Sequence, residues 1–197
     1  MLAPAAVNTE VVPVGEPSLE FDALYGEYFD FVWRNLRRLG VPDSALRDAA
    51  QEVFIVVHRR LGEFVPRGTL RSWIYSILRR VAHSQRRQYH RYVTAESGVT
   101  ESQFENLTQG ALEGPCSDPE SDAAQGQALK LMLRLLDGLD DDKRDALVIV
   151  DIEGMSVPEA CVALDVNPNT LYSRLRSARL EMRHRYEHSQ RDEWRLR

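Results

Sequence analysis

The densest set of chemically capable residues lies between Ser156 and Arg185. Ser156 and Glu159 form a Ser-x-x-Glu capping box, in which each side chain satisfies a backbone N–H left unpaired where a helix begins. Val157, Ala160, Cys161 and Leu164 share one face of that short helix, and Asp165, Val166, Asn167 and Pro168 break it with turn residues. A second helix follows at once. Leu171, Leu175, Ala178 and Met182 make a narrow apolar stripe on it, while Ser173, Arg176, Ser177 and His184 point the other way. Two short-linked helices, the second basic on its outer face, describe a helix-turn-helix. In that unit the N-terminal half of the second helix enters the DNA major groove, where Arg, Asn, Ser and Thr meet base edges and phosphates. Asn169, Thr170, Tyr172, Ser173, Arg174 and Arg176 are the candidates. The plainer alternative is a helical hairpin with a solvated basic surface.

A second constellation follows Leu78, where Arg79, Arg80, His83, Arg86, Arg87, His90 and Arg91 are interleaved with Tyr89 and Tyr92. Cations neutralise phosphates and release counterions, and aromatic rings stack on unpaired bases. His83 and His90 stand seven apart without an acid or thiol on the same turn, which argues against a metal. Cys116 and Cys161 cannot complete a tetrahedral zinc site and read as a loop thiol and a small core residue. Asp140 and Asp141 are better explained as helix caps than as a catalytic pair. With no nucleophile and base, phosphate loop or zinc motif, neither an enzyme nor a cofactor is expected.

The elements that must hold these groups are helical. Phe21, Leu24, Tyr25, Tyr28, Val32, Leu36 and Leu39 line one side of a first helix that Gly40 and Pro42 end. Asp43 is placed to cap a second, running to about Phe64, with Ala50, Phe54, Val57 and Leu61 inward. Its opposite face carries Asp48, Gln51, Glu52, Ile55 and Arg59, and an Ile among acids and amides leaves a partner surface and a solvated surface equally open. Phe64 to Gly68 is a loop. A third helix spans about Thr69 to Tyr92, its buried side supplied by Leu70, Trp73, Ile74, Ile77 and Val81. Later, Leu129, Leu133 and Leu136 mark another helix, and Asp140 or Asp141 caps one carrying Leu147, Val148, Val150 and Ile152 that Gly154 closes.

Charge divides the chain. The net charge of -5 looks wrong for a DNA binder, yet Asp and Glu against Lys and Arg number 10 against 13 over 1–92, 7 against 0 over 93–124, and 13 against 12 beyond. A phosphate-binding protein needs local positive potential, so the total does not exclude nucleic acid. The expected organisation is all-α. A tail over 1–18 precedes a helical domain over 19–92; an acidic flexible linker over 93–124 leads to a second helical domain over 125–187 that ends in the helix-turn-helix, and a charged tail occupies 188–197. The linker is either a tether or an anionic stand-in for nucleic acid. No apolar run nears the roughly 18 residues of a membrane helix, and no signal peptide is evident, so a cytosolic protein without membrane insertion is expected.

In this order the stretches resemble the extracytoplasmic-function sigma factors, short two-domain members of the sigma-70 family of bacterial RNA polymerase. Asp-Ala-Ala-Gln-Glu-Val-Phe at Asp48 to Phe54 is similar to the family's polymerase-binding motif, and Arg-Gly-Thr-Leu-Arg-Ser-Trp-Ile-Tyr at Arg67 to Tyr75 to the start of its promoter-melting segment. Leu139 to Leu147, Glu153 to Ser156 and Asn169 to Leu175 follow its second domain. The resemblance implies a transcription initiation factor whose partners are core RNA polymerase and promoter DNA, in a class commonly held by an anti-sigma protein. It implies that Asp48, Gln51, Glu52 and Ile55 contact the coiled coil of the largest polymerase subunit. Trp73, Tyr75, Arg79, Arg80, His83, Arg86 and Arg87 would recognise and open the minus-ten element, with the Phe64 to Gly68 loop helping to hold an extruded base. Asn169, Thr170, Tyr172, Ser173, Arg174, Arg176 and Ser177 would read the minus-thirty-five duplex. Two departures stand out: Arg80 where the family commonly has Asn, and Tyr172 and Ser177 where it often has basic residues. The alternative function is a helix-turn-helix regulator that works without polymerase.

Overall fold

The computed structural model describes residues 18–64, 68–97 and 119–195. The N-terminal tail, most of the acidic connection with Cys116, and the centre of the Phe64 to Gly68 loop lie outside them. All regular structure among the described residues is helical: α1 (Ser18–Arg38), α2 (Leu46–Arg60), α3 (Leu70–Ser97), α4 (Pro119–Asp137), α5 (Asp141–Leu147), α6 (Val157–Leu164) and α7 (Pro168–Arg195). Helix α3 continues past Tyr92, and α7 runs through the stretch expected to be a charged tail.

Helices α1, α2 and α3 pack around Val32, Leu36, Val53, Val57, Ile74 and Leu78, all fully buried. Phe31 and Asn35 are buried beside them, Asn35 spending its amide on the Phe31 carbonyl at 2.9 Å. Both escape the expected stripe of α1, whereas Tyr25, counted in it, lies at the rim against Phe54 with ring centroids 4.5 Å apart. Gly40 ends α1 at φ +81°, a left-handed conformation costly for other residues. A Cβ there would also sit 3.1 Å from Asp137 Oδ1 and 3.2 Å from Arg86 Cδ, so both side chains would have to give way by a few tenths of an ångström. Asp43 does not cap α2. A 3-10 turn over Asp43–Ala45 comes first, and the Asp43 carboxylate faces Arg37 Nε at 3.4 Å.

In the C-terminal half, Leu139, Ala146, Val148, Ile149, Ala160, Leu164, Leu171, Leu175 and Ala178 form the interior. Asp140 caps α5, its carboxylate accepting from the Lys143 N–H at 2.9 Å. A wide π turn over Val148–Ile152 then leads to Gly154 at φ +67°. Arg144 is the interior's largest polar group, its side chain 1% exposed. Its guanidinium donates to the carbonyls of Leu136, Asp137 and Leu139 at 2.8, 2.9 and 2.8 Å, and more weakly to Leu39 at 3.4 Å. Carbonyls at a helix end have no partner within the helix, and a fixed fork of donors supplies one. Arg185 adds a further bond to the Gly138 carbonyl. The apolar residues of the two halves join in one connected core, and the principal polar contacts between them run from α1 and α3 to α5 and the Glu153 turn.

Candidate nucleic-acid interface

The helix-turn-helix is built as its residues require. Ser156 N donates to Glu159 Oε2 at 3.0 Å and the Ser156 hydroxyl to the same oxygen at 2.6 Å, closing the capping box at the start of α6. That hydroxyl and N–H hold the Glu159 carboxyl below the usual carboxylate range. Asp165 ends α6 at φ +56°, tolerable because a short polar side chain eases the left-handed conformation. Asn167 then accepts from the Thr170 N–H at 2.8 Å and starts α7 with Pro168 in its first turn. Leu171, Leu175 and Ala178 are buried and Met182 partly so, as the stripe predicts.

The stripe sets what faces outward. Asn169, Tyr172, Ser173, Arg176 and Ser177 are exposed, Tyr172 at 58%, and Thr170 is half-buried. Arg174 is half-buried and reaches Asp142 Oδ2 at 2.5 Å. A turn further on, Arg179 makes a forked pair with Asp151 at 2.8 and 2.7 Å. The first two turns of α7 therefore present a polar, partly cationic ridge to solvent.

Helix α3 has two sides. At about 100° per residue, Arg80, Arg87 and Arg91 fall on one line, and Arg79, His83 and Arg86 on another roughly a quarter turn away. Arg80, Arg87 and Arg91 are exposed. The other line is covered by the C-terminal half. Arg79 Nε pairs with Asp145 Oδ2, and Arg79 Nη1 donates to the Leu164 carbonyl at 3.3 Å. His83 Nε2 stands 3.1 Å from Asp145 Oδ1, and Arg86 meets Asp141 at 3.0 Å and Asp137 at 3.6 Å. Tyr75, expected at the DNA face, is fully buried with its hydroxyl donating to the Asp145 carbonyl at 3.5 Å. Burial pushes that phenol well above its ordinary pKa, and the negative charges of Asp145 and Glu153 push the same way. Trp73 is half-buried against Phe64, ring centroids 5.3 Å apart. Of the seven residues expected at the minus-ten element, Arg79, His83 and Arg86 thus face carboxylates of the protein's own second half, and Tyr75 is buried with its hydroxyl on a backbone carbonyl there.

Glu153 completes that seam. Its carboxylate, 4% exposed, pairs with Arg38 of α1 and Arg71 of α3, whose guanidinium also lies 4.8 Å from the Phe31 ring. Burial lowers the pKa of Arg38 while Glu153 opposes the shift. Sequence reasoning did not single out Asp145 or Glu153. The available signal was an Asp beside Ala146 and Leu147 in a helix whose apolar residues must face inward.

The outer face of α2 is open. Asp48, Gln51, Glu52 and Ile55 are exposed, Ile55 at 42%, and Gln85 donates to Glu52 at 3.0 Å. Gln51 and Ile55 border a groove of about 630 Å³ between α1 and α2, floored by Phe21, Tyr25, Phe29 and Phe54. Among the described residues no cluster of three or more His, Cys, Asp or Glu gathers as a metal site, and no helix is long and apolar enough to cross a membrane.

Comparison with known proteins falls on the same two halves. The family description Sigma-70 region 2 matches residues 24–92, and Sigma-70, region 4 matches residues 129–182. Similar proteins include the RNA polymerase sigma factor NccH of Alcaligenes xylosoxydans xylosoxydans, 26% identical over 148 residues, covering 74% of this chain and 75% of that protein. The RNA polymerase sigma factor CnrH of Cupriavidus metallidurans is 27% identical over 150 residues, with 74% and 75% covered. The ECF RNA polymerase sigma-E factor of Escherichia coli K12 is 27% identical over 145 residues, with 71% and 72% covered. Two solved structures share the fold. CnrH in complex with the cytosolic domain of CnrY gives a TM-score of 0.59 at 20% identity, covering 85% of this chain and 87% of that one. The sigma factor RpoE in complex with the anti-sigma factor NepR from Bartonella quintana gives 0.59 at 21%, with 83% and 96% covered.

Proposed function

The chain belongs to the sigma-70 family, in its extracytoplasmic-function class, and from that premise we propose how its surfaces divide the work of a promoter-directing transcription initiation factor. Core RNA polymerase docks on the outer face of α2 through Asp48, Gln51, Glu52 and Ile55. The first turns of α7 read the minus-thirty-five element as duplex through Asn169, Thr170, Tyr172, Ser173, Arg174, Arg176 and Ser177. Helix α3 takes the minus-ten element through its exposed Arg80 and Arg87, beside the half-buried Trp73, Arg79, His83 and Arg86. On this reading the chain makes and breaks no bonds itself, and its workplace is the cytoplasm. An anti-sigma protein is a natural partner, since the similar sigma factors CnrH and RpoE are solved with CnrY and with the anti-sigma factor NepR.

The observation that carries this division is the exposed polar ridge of α7 over a sealed Leu171–Leu175–Ala178 stripe, in the same chain as an exposed Glu52 and Ile55 on α2. A polymerase-independent regulator would account for the ridge alone. Transcription in vitro with purified core and a library of random promoters tests the whole reading and reports specificity at once. Glu52→Arg tests the α2 face: core binding should be abolished while the helical circular dichroism is kept, because a repulsive charge replaces an attractive one on a docking surface. Unchanged core affinity would remove α2 from the assignment.

A further inference from the structure

The three arginines in the first half of α7 are not equivalent. At about 100° per residue, Asn169, Ser173 and Arg176 lie opposite the buried Leu171–Leu175–Ala178 stripe, whereas Arg174 and Arg179 fall on its two flanks, roughly 140° apart across that stripe. Each flanking guanidinium is held by a carboxylate of the scaffold beneath. Arg174 Nη2 meets Asp142 Oδ2, in the first turn of α5, at 2.5 Å, and Arg179 sets Nε and Nη2 on Asp151, in the π turn, at 2.8 and 2.7 Å. We propose that Asp142 and Asp151 are positioning residues for sequence discrimination. They fix Arg174 and Arg179 as phosphate clamps that engage only when α7 is seated in register, and leave base reading to the outer ridge between them. This rests on the reading of α7 as the helix that meets duplex promoter DNA.

Geometry, charge and exposure support this role. A helix seated in the major groove turns its outermost residues to base edges and its flanks to the backbones on either wall, so Arg174 and Arg179 stand where phosphates pass. A guanidinium carries several donors, and these pairs commit one on Arg174 and two on Arg179, which leaves others for a phosphate oxygen. Its orientation is already set, so less side-chain freedom is lost on binding. A lone surface cation attracts phosphate in any register, whereas a cation paired with a carboxylate adds little to that general attraction and acts only at the place where it is aimed. The carboxylates therefore exchange non-specific affinity for geometry. Asp142 is half exposed and Arg179 more than half, and ion pairs this open add little to stability, so support of the fold accounts poorly for two of them on one helix.

The test uses the full chain assembled with core. Two fluorescein-labelled duplexes are compared by anisotropy over a range of salt: the strongest promoter recovered from the random library, and a duplex of mixed sequence. Asp142→Asn with Asp151→Asn should bind the mixed-sequence duplex about tenfold more tightly and steepen the slope of log affinity against log salt by about 1 to 2, since each freed cation adds roughly 0.9 per phosphate. Affinity for the promoter should change little, so the ratio of the two affinities falls by the same factor. Asp142→Glu with Asp151→Glu keeps the charge and should hold the slope near wild type. An unchanged ratio, an unchanged slope, or equal steepening in the glutamate variant overturns the proposal. Helical circular dichroism checks the fold. Should the double Asn variant unfold, each single Asn variant should steepen the slope by about half as much, and a flat response from both overturns the proposal equally. A wild type that selects no upstream element from the library removes instead the reading of α7 on which the proposal rests.

Discussion

Two arginine-bearing helices of this protein meet opposite fates. On α7, Asn169, Tyr172, Ser173 and Arg176 look into solvent; on α3, Arg79, His83 and Arg86 look into a row of carboxylates. Both helices have the same construction, an apolar stripe on one side and basic residues on the other. The difference arises from what stands opposite. The stripe of α7 packs on α5 and α6, leaving its outer ridge uncovered. Helix α3 is packed from two sides, by α1 and α2 and again by α5, α6 and the Glu153 turn, so a basic line that would face solvent in an isolated domain is covered. A basic helix is thus a DNA face only relative to the acids near it.

The comparison can be broken most severely at its shared support. Arg144→Met should lose about 3–5 kcal/mol in chemical denaturation, because several carbonyls and the Asp141 carboxylate lose a buried cationic partner. A loss below about 1 kcal/mol would mean that water replaces the guanidinium without penalty. Next in size is the contrast between the two helices. Arg79→Ala should destabilise the chain by about 1–3 kcal/mol, since the buried Asp145 carboxylate loses its guanidinium partner and keeps the His83 ring. Arg176→Ala should stay within about 0.5 kcal/mol of wild-type stability, as exposed substitutions do, yet weaken duplex binding by about 1–3 kcal/mol if it reads a base. Equal loss on every duplex sequence would mark a phosphate contact instead. If the two variants melt alike, the open and closed faces are not energetically different.

The smallest expected effect lies at the α6 cap. The Glu159 carboxyl is held below its unfolded value by Ser156, so its contribution is complete above the ordinary carboxylate range and is lost as pH falls through the lowered folded value. Glu159→Gln should therefore flatten the acid limb of the stability–pH curve below about pH 4, by less than about 1 kcal/mol for so exposed a cap. An unaltered acid limb would show that Ser156 caps α6 without its partner.

Much of this architecture was legible in the residues. The helix-turn-helix could be read from Ser156 to Met182, because a capping box, a run of turn residues and an i, i+4, i+7 stripe are local and repeat within a few turns. The α2 faces could be read for the same reason. Asp43 misled because a 3-10 turn intervened before α2, and the burial of Tyr75, which the family resemblance had set at the DNA face, could not be read because an aromatic residue suits either side of a helix. Asp145 and Glu153 gave only weak signals, since a charged side chain in sequence does not announce that its partner lies scores of residues away, and Arg144 did so because the groups it serves are backbone carbonyls, which every residue carries.

The amino-acid order by itself determined where the helices begin and end and which stripe of each is apolar, since helix formation depends on neighbours three and four residues apart. Only the tertiary structure decided which basic line of α3 meets solvent and which meets Asp145 and Glu153. The physical reason is that charge pairing across the seam depends on how two halves dock through a long connection, and no periodicity within either helix encodes that approach.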